Sequence, residues 1–180
     1  CGSLSSGARR VAGPAAVFGA CALFCPGCCP GGAAVLGGLT LPEEESGANC
    51  RLISRPTLTS DAERLLGEDL DRIPDRSTAA AIAELLGHRD VREARGGDVK
   101  YAYSAEYGCA SDDGRIGIAA VMFREPTGST RAARLGASPM NVMFKGQLAA
   151  IVWTRGRGCD DCYEMLRERA AGVVGRDQGD

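Results

Sequence analysis

The sequence predicts an α+β fold: two N-terminal helices packed on a small antiparallel sheet, plus a C-terminal helix. Three observations predict it. Residues 77–87, Ser-Thr-Ala-Ala-Ala-Ile-Ala-Glu-Leu-Leu-Gly, read as a short capped helix closed by a glycine. Residues 99–123 alternate and then run apolar, as paired strands do. Residues 160–174 return to helical spacing.

The first helix of the domain opens at 58–61, where Thr59 or Ser60 offers a cap and Ala62, Leu65 and Leu66 form a stripe that continues weakly to Leu70. Residues 73–75 turn the chain into the second helix. There Ser77 or Thr78, with Asp75 as an equal candidate, accepts a hydrogen bond from a free N–H of the first turn. Four alanines favour the helix, and Ile82, Leu85 and Leu86 fall at i, i+3 and i+4 on one face. Gly87 permits the left-handed residue that ends many helices. Such a short one-faced helix is marginal alone and needs a sheet against it.

The sheet follows. Val99, Tyr101, Tyr103 and Tyr107 point one way and Lys100, Ser104 and Glu106 the other, which predicts a half-buried strand. Asp112-Asp113-Gly114 is a turn, and Arg115 to Phe123 is its antiparallel partner. Residues 125–139 form a long loop, and 141–144 with 147–153 form a tight hairpin about Lys145-Gly146. In the last helix Cys162, Met165, Leu166, Ala170 and Val173 mark the buried face, and Asp160-Asp161 suit the positive end of the helix dipole.

The chain of 180 residues is long enough for one domain and an appendage. Its formal charge of −2 carries no strong field for nucleic acid. Lysine occurs only at Lys100 and Lys145, against many arginines, which reads as codon bias. Glycine crowds the region before residue 50. The expected division is therefore 1–10, a tether; 11–41, an uncharged Gly/Cys/Pro-rich segment; 42–54, a linker with an acidic, turn-rich start; and 55–176, the α+β domain. Three readings of 11–41 stand open: a membrane-associated segment or small hairpin, an atypical signal ending at Cys21, or a cysteine-bonded flap.

Nine cysteines suggest an oxidising compartment. The order Cys1-Gly2-Ser3 fits a lipidated cysteine left after signal removal, with a fragment boundary as the alternative; if lipidated, a chain with Gly2 rather than aspartate after the cysteine is expected in the bacterial outer membrane, facing the periplasm. One lipidated cysteine leaves eight for pairing. Cys50, Cys109, Cys159 and Cys162 are the disulfide candidates, with no connectivity fixed by spacing.

Residues 77–87, the Tyr101-Ala102-Tyr103 strand and the Phe144-Lys145-Gly146-Gln147-Leu148 hairpin together resemble the SmpA/OmlA (BamE-like) outer-membrane lipoproteins over about residues 57–153. That family carries a Thr-x-x-x-Val-x-x-Leu-Leu-Gly helix, a Tyr-x-Tyr strand and a Phe-x-Gly-x-Leu hairpin in this order. This chain lacks the family's Gly-Met before the helix threonine and its proline after the helix glycine. It adds residues 125–139 and the cysteine-rich N-terminal segment. The resemblance implies two helices on an antiparallel sheet, used as an accessory or scaffold in the envelope.

Cys159-Asp160-Asp161-Cys162 is the sharpest chemical motif. A helix N-terminus favours a thiolate, as in thiol–disulfide exchange, but the two aspartates oppose it. A structural disulfide, to each other or to other cysteines, outweighs catalysis by this pair and a zinc site shared with Cys25, Cys28 and Cys29. His88 follows the helix glycine and suits a capping or surface role, with no nucleophile marked out beside it. No phosphate loop, nucleophile elbow or metalloprotease motif appears.

The sequence thus predicts a non-enzymatic binding or scaffold module of the bacterial envelope, held by lipid at Cys1, with an envelope protein as partner and no cofactor, metal or nucleic acid. Tyr101, Tyr103 and Trp153 are the candidate contacts to that partner, against the alternative that they pack beneath the helices. The competing reading is a periplasmic thiol–disulfide oxidoreductase using Cys159 and Cys162.

Overall fold

The structure is a computed structural model that describes residues 31–47, 50–67, 77–126 and 142–176. The fold is mixed helix and antiparallel sheet. Six strands are described: β1 (Cys50–Leu52), β2 (Thr57–Thr59), β3 (Val99–Cys109), β4 (Arg115–Phe123), β5 (Val142–Lys145) and β6 (Leu148–Arg155). They form one sheet in the order β1-β3-β4-β6-β5, and β2 also pairs with β3. β1 and β2 thus share one edge, opposite the two ends of β3.

β4 lies at the centre because its residues from Ile116 to Phe123 are apolar without interruption, and all are buried. An unbroken apolar run suits a strand covered on both faces. β3 is covered on both faces as well, which corrects the half-buried strand expected there. Its tyrosine side, Tyr103 and Tyr107, joins Ile116, Ile118, Ala120 and Met122 in one core. Its other side, with Ala102, meets a second core of Ala119, Val121, Ala149, Ile151 and Trp153. A register shift between Val99 and Tyr101 explains one misreading. The extra residue turns Val99 into the second core, away from the tyrosines with which strict alternation grouped it.

The second core is closed by α3 (Glu63–Leu66) and α4 (Thr78–Leu85). α4 starts where expected: Ser77 Oγ accepts from Ala80 N at 3.2 Å. It stops at a Schellman turn, with Gly87 at φ 83, Gly87 N donating to Glu84 O and His88 N donating to Ala83 O. The helix is not one-faced. Six of its eight residues are buried, because α3 covers the side turned away from the sheet. Burial of Ile82, Leu85 and Leu86, at about 1.5–3 kcal/mol each, outweighs the nucleation cost of so short a helix.

α3 is a single turn, with Ala62, Leu65 and Leu66 buried as the stripe predicted. The residues expected to cap it lie elsewhere. Thr57–Thr59 is strand β2, and it is Asp61 that accepts from Glu63 N. Asp75, the 73–75 turn and Leu70 lie outside the described residues.

The first core is closed from the other side by α5 (Asp160–Arg176) and by residues 36–41. α1 (Gly32–Gly37) and α2 (Glu43–Ser46) occupy part of what was read as a membrane-associated segment or flap and a linker. Leu36, Leu39 and Leu41 are 0%, 0% and 5% exposed, so 36–41 belong to the domain core. Among the described residues no helix is long and apolar enough to cross a membrane. The hairpin turn sits one residue later than expected: Lys145 faces Leu148, and Gly146, at φ 58, begins the two-residue loop.

Candidate functional site

The four cysteines of the domain meet at one junction. Cys50 on β1 and Cys109 at the end of β3 are direct cross-strand partners. Cys159 and Cys162 lie three residues apart at the start of α5. Two disulfides cross between these pairs: Cys50 bonds Cys162 and Cys109 bonds Cys159, with Cα atoms 5.2 Å and 5.0 Å apart. The bridges therefore fasten adjacent strands to successive turns of one helix.

All four predicted disulfide residues are used, in a pairing that spacing had left open. The Cys159-x-x-Cys162 pair does not close on itself, an arrangement that lends the oxidoreductase alternative no support. Exchange catalysis by such a motif needs both sulfurs in one couple and an accessible thiol. Here they belong to different bridges, and Cys159 and Cys162 are buried. The same pairing removes both from the zinc site proposed with Cys25, Cys28 and Cys29, which lie outside the described residues. Among the described residues no group stands ready to hold a metal ion. Cys1 also lies outside them.

Beside the junction, two tyrosines hold the N-terminal strap. Tyr103 OH and Thr40 Oγ1 are 2.5 Å apart, and Leu41 N donates to Tyr107 OH at 3.0 Å. Arg169 Nε, from α5, donates to Gly38 O at 2.7 Å. Burial raises the hydroxyl pKa of both tyrosines above the ordinary value; the bond to Thr40 for Tyr103, and that from Leu41 for Tyr107, offset this only in part.

Tyr103 is 1% exposed and Trp153 is 6% exposed, so neither presents a face to a partner. This corrects the expectation that they form contacts at an accessible sheet face: the sheet is covered on both sides. Tyr101 is half-buried against the first core, with Lys100 Nζ 5.7 Å from its ring centroid. Trp153 faces Gly117 across β4 and β6, and its indole occupies the space a side chain at Gly117 would need. Its buried Nε1 has no hydrogen-bond partner among the described residues. Glu106, the other neighbour of Gly117 in the same row, accepts from Thr78 Oγ1 at 2.8 Å. Thr78, expected as a possible cap, thus ties α4 to the sheet.

Comparison with known protein families, curated proteins and solved structures finds no significant match.

Open clefts lie among the described residues. One, of about 320 Å³, lies at the end of α4 between Leu86, Gly87, His88, Arg95, Gly97 and Asp98. Another, of about 290 Å³, runs between α2 and α5 and includes Glu45, Glu168 and Arg169. His88 lines the first cleft, and its backbone N–H rather than its ring completes the helix end. Among the described residues the exposed large apolar side chains are Ile53, Leu58 and Phe144. Ile53 and Leu58 flank the β1/β2 edge and Phe144 lies on β5, the opposite edge. Sequence reading missed these three. A lone apolar residue in a short strand carries no sign of which side it faces.

Proposed function

We propose that this chain is a bacterial cell-envelope protein that acts as a non-enzymatic binding or scaffold module, in outer-membrane assembly or integrity. The observation that carries the reading is the pair of long-range disulfides, spanning 112 and 50 residues. Such bridges persist in oxidising compartments and are rare where thiol reductants keep cysteines reduced. A binding role is supported by the apolar side chains exposed at both sheet edges. Edge strands offer unpaired backbone groups, and partners commonly add to them. The partner surface in this reading is therefore the edges rather than the tyrosine face.

The relationship to the SmpA/OmlA lipoproteins belongs to the same proposal. α3 and α4 against one face of an antiparallel sheet support it. The strap 36–41 and α5 on the opposite face are additions to that plan. Anchoring through lipid at Cys1 is the proposed attachment.

The test is made in the native host. Cells are quenched in acid, thiols are tagged with a maleimide polymer, and the chain is fractionated and weighed. The reading expects no tag on Cys50, Cys109, Cys159 or Cys162, recovery with the outer membrane, and an acyl mass increment on the peptide containing Cys1. Full tagging of the four cysteines with recovery in the cytosol would overturn it.

A further inference from the structure

We propose that Cys50, Cys109, Cys159 and Cys162, when reduced, form a single tetrathiolate site for one zinc-class divalent cation. In the oxidised chain the sulfurs are tied up as cystines. Their placement is nonetheless that of a ligand set. The four residues form a closed ring of neighbours: Cys50 beside Cys109 across the strands, Cys109 bridged to Cys159, Cys159 one helical turn from Cys162, and Cys162 bridged to Cys50. Cross-strand partners have Cβ atoms about 4.5–5.5 Å apart. A tetrahedral site with zinc–sulfur bonds of about 2.3 Å needs sulfurs roughly 3.8 Å apart, a separation within reach of cross-strand neighbours and of a pair one helical turn apart once the bridges open.

The residue types and spacing agree. Two cysteines separated by two residues at a helix start supply adjacent ligands, and the strand pair supplies the other two. Cys50 and Cys162 are 0% exposed, Cys159 is 6% exposed and Cys109 is half-buried, so four protein sulfurs would close the coordination shell with only the Cys109 side toward the surface. Four thiolates around a divalent cation leave two negative charges. The N-terminus of α5 and the Arg115 guanidinium, beside Gly108 and next to Cys109, offset part of them, while Asp160 and Asp161 oppose.

The chemistry balances with a dithiol as reductant. Each bridge takes two electrons and two protons from one dithiol, which leaves as its own disulfide, and yields two thiols. The four thiols release four protons to solvent as the cation binds. This inference concerns the reduced chain and stands apart from the envelope reading, which is decided in cells.

The experiment uses the full-length chain with Cys1, Cys21, Cys25, Cys28 and Cys29 changed to serine, so that no other thiol competes. The protein is reduced with a phosphine and titrated with cobalt(II), and then with zinc. The expected result is one cobalt per chain, with the visible bands and sulfur charge-transfer absorption of a tetrahedral tetrathiolate, displaced by zinc. Adding Cys50→Ser or Cys109→Ser should each weaken binding at least ten-fold and change the spectrum. Emission of Trp153, the single tryptophan, reports the fold in the same cuvette. A weak octahedral spectrum, serine variants that bind as tightly, or a tetrathiolate spectrum from a chain whose Trp153 emits as a solvent-exposed indole would each overturn the proposal.

Discussion

Gly117 shows how much one missing side chain decides. Without a Cβ there, the Trp153 indole lies across β4 and fills the second core. Gly117→Ala forces the ring or the strand to move, and overpacking of this kind costs about 1–3 kcal/mol. Urea unfolding followed by Trp153 emission should show that loss, with the native emission shifted. The tyrosines give a second prediction. Their folded-state pKa values are raised above the ordinary value of about 10 by burial, so the folded chain holds these protons more tightly than the unfolded one. Their contribution is complete below about pH 10 and is lost as pH rises through the folded values, at about 1.4 kcal/mol per pH unit for each tyrosine. The denaturation midpoint measured between pH 8 and 12 should therefore fall more gently above about pH 10 for Tyr103→Phe than for the parent chain. The period of the tyrosines was legible in the sequence. The shift beside Val99 was not, because a bulge obeys the pairing of two strands and not the pattern of one.

Among the elements, α4 was the most legible. Its cap, alanines and closing glycine act within a few residues of one another, so local chemistry specifies them. Ser77→Ala removes the acceptor for Ala80 N and should cost about 1 kcal/mol, read as a lower denaturation midpoint at unchanged slope. Thr78→Val keeps the shape and removes the bond to Glu106; a cost of about 1 kcal/mol or more by the same measurement would show that this bond holds α4 to the sheet. β1 and β2 were not legible as strands. Each is three residues long and owes its conformation to β3 residues that lie from 43 to 59 positions away in sequence. The strap 36–41 was hidden for a different reason. A segment without charges shows no contrast between faces, so its leucines could not be assigned to a sheet, a bilayer or a flap. What fixes it are bonds from Tyr103, Tyr107 and Arg169, which converge only in the folded chain.

At the scale of the whole molecule, the two disulfides join what the chain order separates. They fasten the β1 edge and the end of β3 to the start of α5, and so tie the sheet edge to the last described helix. The sequence supplied the four cysteines and the inference of an oxidising compartment. Their pairing depends on the Cys50–Cys109 register and on the docking of α5, and neither is local. Replacing Cys50 and Cys162 together by alanine should cost about 2–5 kcal/mol. On the loop-entropy account it should exceed the loss from the Cys109–Cys159 pair by roughly 0.7 kcal/mol, because its loop spans 112 residues against 50. Thermal unfolding of the two double variants under oxidising conditions checks that order. The measurement to make first is a peptide map of the non-reduced protein, purified from its native host with free thiols blocked at lysis. The crossed pairing predicts two linked species, Cys50 with Cys162 and Cys109 with Cys159. Linked peptides joining Cys159 to Cys162, or blocked thiols at all four positions, would contradict the junction and the envelope reading built on it.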